Sequence, residues 1–111
     1  MATPLLCIST CPDATSAGHI AQTLVTERLA ACVNRMPGVR STYRWQGKLQ
    51  DDAEVLLVIK TTRERFAALR TRLLELSPYA TPELIALDIV EGSAAYLGWI
   101  AAETTPEATG A

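Results

Sequence analysis

The chain is short of the residues on which most simple chemistries depend. It has one histidine, His19, and three cysteines, Cys7, Cys11 and Cys32, in 111 residues. A single imidazole limits histidine-based acid–base work, and no second ligand stands at helical reach of it, because Thr23 occupies the i+4 position. Three thiols do not make a disulfide framework. The sequence contains no G-x-S-x-G element, no phosphate-binding glycine loop and no cysteine–histidine cluster. Charge of one sign is also scarce. A net charge of −2 recommends neither nucleic acid nor an anionic membrane as a partner. The apolar run that begins at Leu5, Leu6 and Ile8 stops at Ser9, far short of a membrane span. The first residues, Met1-Ala2-Thr3-Pro4, lack the basic region of a signal peptide. The expectation is a cytoplasmic protein, not an enzyme, with no nucleic-acid or membrane partner.

What is present reads as one globular domain over residues 1–111. Hydrophobic residues make up 49% and charged residues 20%, which is enough apolar material for one core. The ordered part is expected over about 4–103, with a frayed tail of Thr, Pro, Gly and Ala beyond Glu103. Leu5 to Thr10 reads as a strand. Asp13 is placed to cap a helix, and apolar residues recur at helical spacing from Ala17 through Ile20, Ala21, Leu24, Val25 and Leu29 to Cys32. That spacing predicts a helix over Ala14 to Ala31, with His19 on its solvated face.

Val39 to Trp45 alternates, and Pro37-Gly38 before it marks a bulge. Gln46-Gly47-Lys48 turns the chain. Ala53 to Thr61 is the return strand, within a hairpin arm reaching back to residue 50. Ala53, Val55, Leu57 and Ile59 line one face of it; Glu54, Leu56, Val58 and Lys60 line the other. A strand apolar on both sides in its middle is covered on both sides. The helices of this chain suffice for one face only, so a second subunit is expected on the other. Thr61-Thr62-Arg63-Glu64 has the spacing of a capping box. It opens a helix with Phe66, Leu69, Leu73 and Leu76 on the buried stripe. Glu83 to Val90 is a further strand, and Gly92-Ser93 starts a last helix. The order β-α-β-β-α-β plus a terminal helix is the split βαβ pattern, an α+β, ferredoxin-like fold.

The stiffest connection is Ser77-Pro78-Tyr79-Ala80-Thr81-Pro82-Glu83-Leu84. Two prolines four apart fix two φ angles and push Ser77 and Thr81 toward extended geometry. They present Tyr79 and Glu83 from a rigid support. Lys60, at the edge of a covered face, calls for a carboxylate partner, and Glu83 is the candidate. The candidate ligand site is therefore a cleft between subunits lined by Tyr43, Trp45, Lys60, Tyr79 and Glu83. The competing reading is an interface ion pair with aromatic packing. For metals, Cys7 and Cys11 on one extended strand are about 13 Å apart, too far to share an ion. Cys7 and Cys32 read as small buried hydrophobes. Cys11 is expected to be exposed at a strand end before a helix, where a thiol pKa falls, and it is the one metal-ligand candidate.

Six blocks carry a family resemblance. They are Ser9-Thr10-Cys11-Pro12-Asp13, Glu27 to Asn34, Tyr43-Arg44-Trp45-Gln46-Gly47-Lys48, Ile59-Lys60-Thr61-Thr62, Pro78 to Leu84 and Tyr96-Leu97-Gly98-Trp99-Ile100. In this order and spacing the chain resembles the CutA divalent-cation-tolerance family from about Leu5 to Ala102. The resemblance implies a ferredoxin-like fold assembled as a compact homotrimer, with long strands packing between subunits. It implies an association with tolerance to copper and other divalent cations, and copper or another divalent cation as the bound species. Copper-binding members have a cysteine in the first strand and histidines before the Pro-Tyr pair. The corresponding positions here hold Ser9, Leu76 and Ser77, so that ligand set does not carry over. Trimers of similar architecture include the PII signalling proteins, which implies as an alternative a small-molecule-binding regulatory module acting through a partner protein.

Overall fold

The computed structural model of the protein describes residues 2–106. The elements run β1 (Pro4–Cys11), α1 (Ala14–Thr26), β2 (Cys32–Trp45), β3 (Lys48–Thr62), α2 (Arg63–Leu76), β4 (Ile85–Asp88) and α3 (Ala94–Glu103). The four strands form one sheet in the order β2-β3-β1-β4, with every neighbouring pair antiparallel. This is the split βαβ arrangement expected from the order of elements.

Alternation along the strands decides which face meets the helices. Cys7, Cys11, Val55, Leu57 and Ile59 are buried against Ala17, Ile20 and Leu24 of α1 and Leu69 and Leu73 of α2. Removing a buried leucine from such a core costs about 2–5 kcal/mol, because the cavity left behind only partly relaxes. The opposite face carries Leu6, Ile8, Leu56 and Val58, partly covered, and Met36, Ile85 and Leu87, all exposed. The register puts these on one surface: Leu6 lies between Lys60 and Leu87, and Ile8 between Val58 and Ile85. One side of the sheet is thus packed by α1 and α2; α3 borders the other at its Cys32–Lys60 end, where Tyr96 meets Cys32, and the rest of that side is apolar and open.

The β2–β3 hairpin is the longest feature. Its tip is a two-residue turn in which Gln46 and Gly47 have φ of 51° and 79°, the twist that joins right-handed strands. The expected break at Pro37-Gly38 is a register shift between Met36 and Val39, with Gly38 at φ 82°. The strands run further than their alternation indicated. β2 starts at Cys32 on the near side of the bulge, and β3 starts at Lys48.

Several local expectations are corrected by contacts from distant parts of the chain. The first helix ends at Thr26, not Ala31. Arg28 sits in the left-handed region at φ 60°, and the N–H groups of Leu29 and Ala30 both return to the Leu24 carbonyl. The capping box does not form. Thr62 is the N-cap and makes no side-chain cap bond; the Thr61 hydroxyl donates to the Leu29 carbonyl at 2.7 Å; Glu64 accepts from the Thr3 N–H at 2.9 Å. β4 is four residues long, shorter than Glu83 to Val90. The chain past Glu103 is held as far as it is described. Thr104 is buried, and its hydroxyl donates to the Ile100 carbonyl at 2.8 Å. Arg28 donates to the carbonyls of Ala102 and Thr105 at 2.8 and 2.7 Å. The rest of the expected frayed tail, 107–111, lies outside the described residues.

Candidate functional site

The connection from α2 to β4 folds back over the end of β1, and a buried hydroxyl holds it there. Ser9 on β1 is buried and donates to the Glu83 carbonyl at 2.7 Å. The Tyr79 N–H donates to the Ser77 hydroxyl at 3.2 Å, a local turn that adds to the restraint from Pro78 and Pro82. Across from this connection, the β2–β3 hairpin brings Ser41, Tyr43, Trp45 and Glu54 onto the open face of the sheet. Their shared face follows from the register, which pairs Val39 with Glu54 and Tyr43 with Gln50. Between the two lies a cleft of about 670 Å³ lined by Thr10, Ser41, Thr42, Tyr43, Trp45, Glu54, Tyr79, Ala80, Thr81 and Glu83.

Two tyrosine–carboxylate bonds organise this cleft. The Tyr79 hydroxyl donates to Glu54 Oε2 at 2.5 Å, and the Tyr43 hydroxyl donates to Asp52 Oδ2 at 2.5 Å. Both are short, charge-assisted bonds. Burial, and then the bond to Glu54, push the Tyr79 pKa well above the usual tyrosine range. Burial first, and then the Glu54 charge, raise the Glu83 carboxyl above the ordinary glutamate value. Among the described residues, no basic side chain forms an ion pair with Glu54 or Glu83.

Of the five residues singled out from sequence, Tyr43, Trp45, Tyr79 and Glu83 come together in the cleft, and Lys60 stands apart. Lys60 is six residues along β3 from Glu54, about 20 Å. Its ammonium donates to Asn34 Oδ1 and lies 3.9 Å from Cys32 Sγ. The expected pair between Lys60 and Glu83 is absent within the chain, because β2 supplies Asn34 on the same face, two residues from the position opposite Lys60. Glu54 was missed as a member of the cleft. Its one sequence signal is a carboxylate opening an otherwise apolar strand face. Asp52, near the hairpin turn, holds the Tyr43 hydroxyl.

Cys11 is not exposed. It is fully buried beneath α1, and burial pushes its thiol up to about 11, the Asp13 and Glu54 charges adding to the effect. The lowered pKa expected at the strand end is therefore reversed. Cys7 is likewise buried and pushed up to about 11. His19 is exposed on α1, with Thr23, Glu27 and Arg72 bordering a shallow groove. Among the described residues, no three His, Cys, Asp or Glu side chains converge to hold a metal ion. The donor set of one chain does not fit copper, which prefers thiolate and imidazole ligands.

These features define a class: a small α+β protein with a split βαβ sheet, α1 and α2 on one face, and an aromatic, acidic cleft on the other. A family model described as CutA1 divalent ion tolerance protein matches residues 5–103, and the chain belongs to that family. The divalent-cation tolerance protein CutA of Thermus thermophilus is 50% identical over 95 residues, which cover 86% of this chain and 92% of that protein. The human protein CutA is 43% identical over 91 residues, 82% of this chain and 51% of the human one; the chain spans about half the length of that relative. The crystal structure of CutA from Xylella fastidiosa superposes with a TM-score of 0.91 at 48% identity, covering 93% of this chain and 99% of that one. CutA1 from Oryza sativa gives 0.90 at 39% identity, covering 93% and 94%. The family is described by tolerance of divalent ions, not by a reaction.

Proposed function

We propose that the protein acts in divalent-cation tolerance as a non-enzymatic, cytoplasmic homotrimer, and that its ligand site is the cleft of Tyr43, Trp45, Tyr79 and Glu83 at the subunit boundary. The observation that carries this reading is the asymmetry of the sheet. One face is packed, and the other exposes Met36, Ile85 and Leu87 beside the cleft. A contiguous apolar surface of this kind marks an interaction site. Covering it with further copies also walls the cleft from a second side. Catalysis has little support, since the cleft offers two carboxylates and two engaged phenols but no nucleophile with an adjacent base.

Tolerance to copper is then indirect. The family relation supports the role, while the buried Cys11 and the solitary His19 argue against a resident copper ion. Native mass spectrometry of the protein titrated with copper, with Cys11→Ser as control, tests this. The expected result is a trimer with no stoichiometric copper uptake. Uptake of about one ion per subunit, lost in Cys11→Ser, overturns it. A PII-like regulatory reading is favoured by the size of the cleft, which falls among small-molecule sites.

A further inference from the structure

The cleft has a chemistry that assembly alone does not call for. Its volume of about 670 Å³ sits in the middle of the roughly 300–1,000 Å³ range of small-molecule sites. A bare divalent ion, held by six to eight oxygens at about 2.3–2.6 Å, needs a far tighter cage. Three aromatic side chains, Tyr43, Trp45 and Tyr79, and two carboxylates, Glu54 and Glu83, line it, and no lysine, arginine or histidine does. Both phenolic hydroxyls are already given to carboxylates, so neither is left as a donor for an anion. The Glu83 carboxylate makes no hydrogen bond or ion pair among the described residues. An anionic ligand such as a nucleotide meets like charge here. A cation with an apolar body meets charge neutralisation and aromatic walls, with Trp the strongest of the cation–π partners.

Resting on the reading of this cleft as the ligand site, we propose that it takes a small organic cation, an alkylammonium compound whose charged head lies between Glu83 and the Tyr43, Trp45 and Tyr79 rings. The raised Glu83 carboxyl fits this assignment: the side chain is exposed, but partial desolvation and the neighbouring Glu54 charge both disfavour its ionised form, and a bound cation supplies the missing counter-ion.

The test uses the full chain carrying Trp99→Phe, which leaves Trp45 as the sole indole reporter. Tetramethylammonium, 1,4-diaminobutane, ATP and calcium are titrated in turn, with Trp45 emission and calorimetry as readouts. The expected result is saturable binding of both ammonium probes with a change in Trp45 emission. Affinity should fall about tenfold in Glu83→Gln and in Tyr43→Leu, a size in keeping with one charge or one aromatic contact. Binding of ATP, or Glu83-dependent binding of calcium, in place of the ammonium probes overturns the organic-cation assignment and leaves the cleft as a ligand site. No response of Trp45 to any probe, with Trp45 emission changing only on dilution of the assembly, overturns both, since a second copy then fills the cleft.

Discussion

Tyr79 and Glu54 show how much one hydrogen bond constrains the cleft. The phenol is partly buried and its partner is a carboxylate, so Tyr79→Phe should cost about 1 kcal/mol, read by urea denaturation at pH 7. The pH dependence has a definite sign. The folded Tyr79 pKa lies above its ordinary value near 10, so its neutral form is the one stabilised. That contribution is complete below about pH 10 and is lost as pH rises toward the folded value. The stability difference between the parent and Tyr79→Phe should therefore be constant from neutral pH to about 9 and shrink above 10. A difference that stays unchanged well above about pH 10 would remove the bond as its cause. The aromatic and acidic character of this site was legible in the stiff Pro78–Leu84 segment and the alternation of Tyr43 and Trp45. The partners were not, because Tyr79 meets Glu54 across 25 positions and Lys60 meets Asn34 across 26.

Among the elements, the hairpin and the helices separate what local sequence determines from what it does not. Gln46-Gly47 and Pro37-Gly38 state the turn and the bulge in their own residue types, and both occur where the pattern puts them. The capping box at Thr61 failed for the opposite reason: Leu29 and Thr3 claimed both of its side chains. The end of α1 depends on Arg28, which combines a left-handed backbone with side-chain bonds to two carbonyls at the C-terminus of α3. The two roles separate by substitution. Arg28→Ala keeps the unfavourable φ and loses both bonds, whereas Arg28→Gly loses the bonds and relieves the backbone, worth about 1 kcal/mol. In both variants, hydrogen exchange should quicken over Ala101–Thr105, and Arg28→Gly should be the more stable of the two. Unchanged exchange in α3 would mean that Ile100 and Thr104, both buried, hold the helix without the arginine.

For the whole molecule, the open sheet face governs behaviour. The extents of 50 × 33 × 22 Å belong to an elongated body, and the radius of gyration of 14.9 Å exceeds the roughly 13 Å of a compact chain of this size. The sequence announced the need for a second cover through Leu56 and Val58. It was silent on Ile85 and Leu87, whose strand is too short to show alternation. Leu56→Asp places a charge in the middle of that face while leaving the helix-side core untouched. It should reduce the sedimenting species to a monomer, with the far-ultraviolet spectrum retained. A trimer that survives the substitution would move the interface elsewhere.

Strand β1 lies at the centre of the sheet, yet both its neighbours come much later in the chain: β3 closes against it at Thr62 and β4 at Asp88. On the ribosome, the first strand made is the last to be completed. At about 5–20 residues per second, Leu5, Leu6, Cys7 and Ile8 wait seconds for the residues that will flank them, while the hairpin behind them can already close. The apolar stretch that becomes the middle of the finished protein is therefore its most exposed hazard during synthesis.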